Sequence, residues 1–116
     1  TEQLAKLGYV AFAADIYGKG IRPNNPKDAA AQAGIYRGNR QLMRDRARAG
    51  LAVLQQNPLI DASRIAAIGY CFGGGTVLEL ARSGASVAGV VSFHGNLDTP
   101  NPEDAKNIKG KVLVLH

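Results

Sequence analysis

Ile65-Ala66-Ala67-Ile68-Gly69-Tyr70-Cys71-Phe72-Gly73-Gly74-Gly75-Thr76 sets the only cysteine of the chain between an apolar run and the start of a helical pattern. The spacing Gly69-x-Cys71-x-Gly73 is that of a nucleophile elbow, with sulfur where serine oxygen is usual. A strand that must turn into a helix within about two residues forces the central residue into strained backbone angles. Glycines at 69 and 73 lack the Cβ that would crowd the place where strand and helix pass closest. This pattern predicts that Cys71 stands on the carboxyl edge of a sheet, as a candidate nucleophile, with the Phe72 backbone N–H aimed into the same space as an oxyanion donor. The positive end of a helix predicted over 72–83 favours a thiolate over a thiol.

Two plainer readings compete. A single cysteine in an apolar stretch is more often a small core residue, and the flanking glycines argue against that here. A glycine-rich turn after a strand can also cradle phosphate. Glycines 69, 73, 74 and 75 do not form G-x-G-x-x-G, however, and no Lys-Ser or Lys-Thr follows. Nucleotide binding is therefore set aside.

Outward from the elbow, turn residues divide the chain into alternating elements. Residues 1–7 read as a helix end stopped by Gly8, and Tyr9 to Asp15 as a buried strand, from a nearly continuous apolar run. A loop over 16–27 holds Gly18, Gly20, Pro23 and Pro26, followed by helices predicted over 28–36 and 40–56. Strands are expected at Arg64 to Gly69, Val87 to Phe93 and Lys111 to Leu115, with a polar loop from His94 through Pro102. Parallel strands joined by helices need right-handed crossovers, so the pattern predicts an α/β fold of three layers: a parallel sheet of about four strands with helices on both faces. Asp15 to Lys19, Cys71, His94 and His116 then gather at the carboxyl ends of the strands, where such sheets bind ligands.

Composition narrows the function classes. The chain has 116 residues, 46% of them hydrophobic, and 14 glycines, which suits one small globular domain over 1–116. No stretch reaches the roughly 18 to 20 apolar residues of a membrane span. A lone cysteine fits a reducing, cytoplasmic compartment. The net charge of +5 comes largely from Arg37, Arg40, Arg44, Arg46 and Arg48. They lie on a predicted helix without interleaved aromatics, so a solvated face is expected rather than a nucleic-acid surface. The chain opens within a helical pattern and ends one residue past a strand, so a portion of a longer protein is expected.

Gly69-Tyr70-Cys71-Phe72-Gly73-Gly74 resembles the nucleophile motif of the dienelactone hydrolase family, a cysteine branch of the α/β-hydrolases. Gly8-Tyr9-Val10-Ala11-Phe12-Ala13-Ala14-Asp15-Ile16-Tyr17 is similar to the family's strand leading to an Asp-Leu-Tyr turn, and Lys111 to His116 to the strand ahead of its catalytic aspartate. The resemblance implies a hydrolase of esters or lactones acting through Cys71 and an acyl-thioester, with no metal or organic cofactor. It also implies that the second oxyanion donor, the acid and the histidine base lie outside these residues. The alternative is a non-catalytic fragment or degenerate relative that keeps Cys71 as a redox-sensitive or ligand-contacting thiol.

Weaker candidates for substrate contact are Tyr17, Lys19, Tyr70 and His94. Lys19 stands near where the family has an arginine; a lysine neutralises a carboxylate but cannot grip it with two prongs. His94 directly follows a predicted strand, although a histidine there more often bonds a neighbouring loop. His116 and Asp98 are not taken as base and acid, because the order in α/β-hydrolases is nucleophile, acid, histidine. A turn or capping role is expected for both. In the family's sheet an earlier strand lies between the one before the Asp-Leu-Tyr turn and the nucleophile strand. Its absence here predicts exposed sheet edges that could drive self-association.

Overall fold

The computed structural model describes residues 1–116 and contains three parallel strands in the order β1 (Ala66–Tyr70), β2 (Gly89–Phe93), β3 (Lys111–Leu115). Four helices accompany them: α1 (Glu2–Lys6), α2 (Pro26–Gly38), α3 (Arg40–Gln55) and α4 (Phe72–Arg82). Local chemistry sets their starts. Pro26 supplies a preset φ at the first position of α2, and the Asn25 side chain accepts from the Asp28 N–H at 2.8 Å. Asn39 caps α3 in the same way, accepting from Leu42 N–H at 3.0 Å. None of the helices is long and apolar enough to cross a membrane.

Packing centres on α4. Every residue from Gly74 to Ala81 is buried, because this helix is clasped between β1 and β2 on one side and α3 on the other. Val77, Leu78, Leu80 and Ala81 meet Ala47, Ile65, Val87 and Val90 in one apolar cluster. Parallel register aligns Ala67 with Val90 and Gly69 with Ser92, so small residues line the sheet where the helix crosses it.

The fold is α/β, as expected, with three corrections. Tyr9 to Asp15 is not a strand: it pairs with no neighbour, and the sheet has three strands rather than about four. Nor is this segment buried: Tyr9, Val10 and Phe12 are exposed, and Phe12 and Ala14 only approach α3, where a Cβ on Gly50 would lie 3.0 Å from Ala14 Cβ and 3.6 Å from the Phe12 ring. A strand exists only with a partner to accept its hydrogen bonds, and β1 leaves its outer edge unpaired. The helix packed on the sheet covers one face, not both; Ile68, Tyr70, Leu113 and Leu115 on the opposite face are exposed. Finally, the expected polar loop from His94 through Pro102 gives way at its last residue to a 3-10 helix over 102–107, with Glu103 and Asp104 in its first turn.

The arginine cluster departs from expectation in part: Arg37, Arg46 and Arg48 are exposed as expected. Arg40 and Arg44 are largely buried, and with Arg82 they surround Glu79, whose side chain is 0% exposed. Arg44 reaches Glu79 through Nε and a terminal nitrogen at 2.8 Å each, Arg82 at 2.8 Å, and Arg40 at 3.8 Å. Asp98 and Asp104 close the outer valences of Arg40 and Arg44 at 2.8 and 2.7 Å. Asp98 is thus an ion-pair partner rather than a turn cap. Burial disfavours the charge on Arg44, but its bonds to Asp104 and Glu79 outweigh that and hold its pKa above the ordinary arginine value.

Candidate active site

Cys71 is the pivot between β1 and α4. Its φ is 51°, a left-handed value rare outside glycine, and the residue is exposed. The β-ladder holds it one step beyond the strand, because its N–H donates to the Phe93 carbonyl at 2.8 Å. Its own carbonyl accepts from Gly75 N–H at 3.2 Å and starts the helix. The amides of Phe72, Gly73 and Gly74 precede the first closed helical bond, so the helix itself supplies them with no acceptor. They form an anion-favouring end of an 11-residue helix.

The close approach that makes this turn possible falls at Gly69 and Gly74 rather than at Gly69 and Gly73. A Cβ on Gly69 would collide with the Gly73 carbonyl and lie 2.7 Å from Gly74 N. A Cβ on Gly74 would lie 2.6 Å from Ser92 Oγ, whereas one on Gly73 would meet nothing within 4 Å. Gly69→Ala should therefore cost about 3 kcal/mol or more, since backbone must move. Gly73→Ala should leave stability unchanged or raise it by up to about 1 kcal/mol through helix propensity. Paired urea denaturation curves check this, and equal losses in the two variants would contradict the assignment of the contact.

Aromatic side chains wall one side of the turn. Phe72 sits 5.5 Å from the Tyr17 ring and 6.3 Å from the Tyr36 ring, and Tyr17 stacks on Tyr36 at 5.7 Å. Tyr36 O–H donates to the Tyr17 carbonyl at 3.2 Å, tying the loop after Asp15 to α2. The Arg37 guanidinium lies 5.7 Å from the Phe72 ring centroid. Tyr36 and Arg37 are neighbours of the elbow that the sequence pattern does not single out, since they belong to a different element and to no motif.

The other predicted residues divide. Tyr17 and His94 are brought to the elbow: His94 follows β2 as Cys71 follows β1. Tyr70 lies on the uncovered face of the sheet, stacked on Phe93 at 4.5 Å with the planes 10° apart. Lys19 is exposed in the loop after Asp15. His116 follows β3, its ring 6.4 Å from that of His94.

Asp15 shapes that loop. Its carboxylate accepts from Gly18 N–H at 3.1 Å and from Arg22 at 3.2 Å. The Gly18 bond chiefly holds its pKa below the ordinary carboxylate range, with the Arg22 charge assisting. A depressed folded pKa means that the contribution to loop order is present above the unfolded value of about 3.9 and is lost as pH falls through the lower folded value. The Gly18 amide resonance should move only below that unfolded value. A midpoint at or above it would contradict the hydrogen bond.

The family model described as the dienelactone hydrolase family matches residues 1–116, the whole chain. The chain belongs to the dienelactone hydrolase family. Solved structures agree with this membership. The structure named m3DLH is 48% identical, superposes with a TM-score of 0.91, and is matched over 98% of this chain and 48% of its own. A dienelactone hydrolase-like promiscuous phosphotriesterase, P91, from metagenomic libraries, is 43% identical with a TM-score of 0.88, over 97% of this chain and 46% of its own. This dienelactone hydrolase family member thus spans about half the length of those relatives. No curated protein matches it.

Proposed function

We propose that the full-length protein hydrolyses carboxylic esters or lactones with Cys71 as nucleophile. The observation that carries this reading is the exposed thiol at φ 51° on the first residue before α4. The sulfur attacks the carbonyl carbon, and the carbonyl π pair moves onto oxygen, where the Phe72 N–H meets the negative charge. Collapse of the tetrahedral species breaks the C–O bond, the leaving alkoxide takes a proton, and a thioester remains on Cys71. Water then attacks that thioester, releasing the acid and restoring the thiolate. The second oxyanion donor, the acid and the base that speeds deacylation are assigned to parts of the protein beyond residues 1–116. The Tyr17, Tyr36 and Phe72 wall offers an apolar surface to the substrate.

A second, phosphorus-centred activity is favoured by one observation, the 43% identity to a protein described as a promiscuous phosphotriesterase. The test is a panel of p-nitrophenyl acetate, a simple lactone and a dialkyl p-nitrophenyl phosphate, offered to the full-length protein and to its Cys71→Ala variant. All activities should disappear together in the variant. Carbonyl ester cleavage surviving without the sulfur would refute the reading.

A further inference from the structure

We propose that His94 donates a hydrogen bond to the leaving-group oxygen of the ester while Cys71 attacks; this rests on the reading of Cys71 as nucleophile. Cys71 and His94 are the two non-glycine residues with positive φ, at 51° and 53°. They are also neighbours in register. The ladder that pairs Tyr70 with Phe93 and Phe93 with Leu115 continues one step, with Cys71 N–H donating to Phe93 O and His94 N–H to Leu115 O, both at 2.8 Å. Adjacent strands lie about 4.8 Å apart, so the backbones of Cys71 and His94 stand side by side on the carboxyl edge, close enough for one bound ester to reach both residues.

The turn after β2 is built tightly to hold this position. A Cβ on Gly95 would lie 2.5 Å from the Gly74 carbonyl carbon and 2.6 Å from Gly75 N, so the chain leaving His94 is wedged against the first turn of α4. That is the turn that carries the oxyanion donor. Within residues 1–116 the His94 ring makes no hydrogen bond to a nearby loop, the usual structural role for a strand-end histidine. His94 is exposed, and the aromatic ring beside its own is that of His116, at 6.4 Å. A residue held in an uncommon conformation with its ring left free, beside a candidate nucleophile, points to use by a ligand.

Chemistry chooses the acceptor. Of the groups on the carbonyl carbon, the oxyanion faces the Phe72 N–H at the start of α4, and the acyl substituent of a simple ester is apolar. The bridging oxygen is the remaining acceptor, and its negative charge grows as the C–O bond lengthens. His94 stabilises that charge through a ring N–H and keeps its proton; the leaving alkoxide is protonated by the general acid of the intact enzyme. The help matters most where the leaving group is poor.

The test compares ethyl acetate with p-nitrophenyl acetate in the full-length protein, its His94→Gly variant and its His94→Asn variant. Glycine adopts φ 53° freely and removes the donor; asparagine tolerates that φ and keeps an N–H donor. The ratio of kcat/KM for ethyl over p-nitrophenyl ester should fall about tenfold or more in His94→Gly, the size of losing one hydrogen bond to a developing charge, and recover at least in part in His94→Asn. An unchanged ratio in His94→Gly, or an equal fall in both variants, overturns the inference alone. Turnover that survives in Cys71→Ala overturns the nucleophile reading and this inference with it.

Discussion

Cys71→Ala in the full-length protein should lower kcat/KM for p-nitrophenyl acetate by about 10³-fold or more, the scale at which removing a nucleophile leaves only oxyanion stabilisation and binding. Stability should not follow. The thiol is exposed, so no packed cavity opens, and alanine at φ 51° carries much the same backbone strain as cysteine. A melting temperature within a few degrees of wild type, together with the collapse of activity, separates loss of chemistry from loss of fold. A fall of only a few-fold would make Cys71 a spectator in the pocket.

The largest effect on stability is expected at Glu79. Its carboxylate is fully enclosed and answers three guanidiniums from α3 and α4, two of which also hold Asp98 and Asp104. Replacing it with leucine leaves Arg40, Arg44 and Arg82 close together with no anion between them, in a site where their side chains are only 11 to 13% exposed. Breaking a buried network by removing one partner costs about 3–5 kcal/mol. That is a large share of the 5–15 kcal/mol typical of a whole domain. Glu79→Leu should therefore unfold at a markedly lower denaturant concentration or fail to accumulate folded. Arg40→Leu, which removes a 3.8 Å contact to Glu79 and a 2.8 Å pair to the exposed Asp98, should cost less than Arg44→Leu, which removes two bonds at 2.8 Å to Glu79 and a 2.7 Å pair to the more buried Asp104. The reverse ranking would contradict the geometry.

The same helix shows what the sequence can and cannot disclose. The elbow was readable because its constraint is local: strand, positive-φ residue and helix must follow within a few positions, and glycine spacing records that need. The strands after it were readable to within two residues from their valine-rich runs, and β3 matches its expected span. Tyr9 to Asp15 misled because an apolar run records a tendency to be covered, while the cover and the hydrogen-bond partner both belong to neighbours; here Tyr9, Val10 and Phe12 are exposed and the segment pairs with no strand. The arginine face misled for a related reason. Charge spacing on one helix cannot report that a second helix presents Glu79 to it. A signal was present all the same: a lone acid in Val77-Leu78-Glu79-Leu80-Ala81 lies in the middle of a buried face and demands cations from elsewhere. Tyr36 and Arg37 reach the elbow through tertiary packing alone, and no local pattern announces them.

Everything proposed for this chain turns on Cys71 being an activated nucleophile set by the turn between β1 and α4. Intact mass spectrometry of this 116-residue chain, after seconds of exposure to p-nitrophenyl acetate at neutral pH, tests it directly, with Cys71→Ala alongside. One acetyl group should form rapidly, map to Cys71 by peptide analysis and persist, because the proposed deacylating base lies beyond these residues. Acetylation no greater than in Cys71→Ala, or confined to lysines, would contradict it.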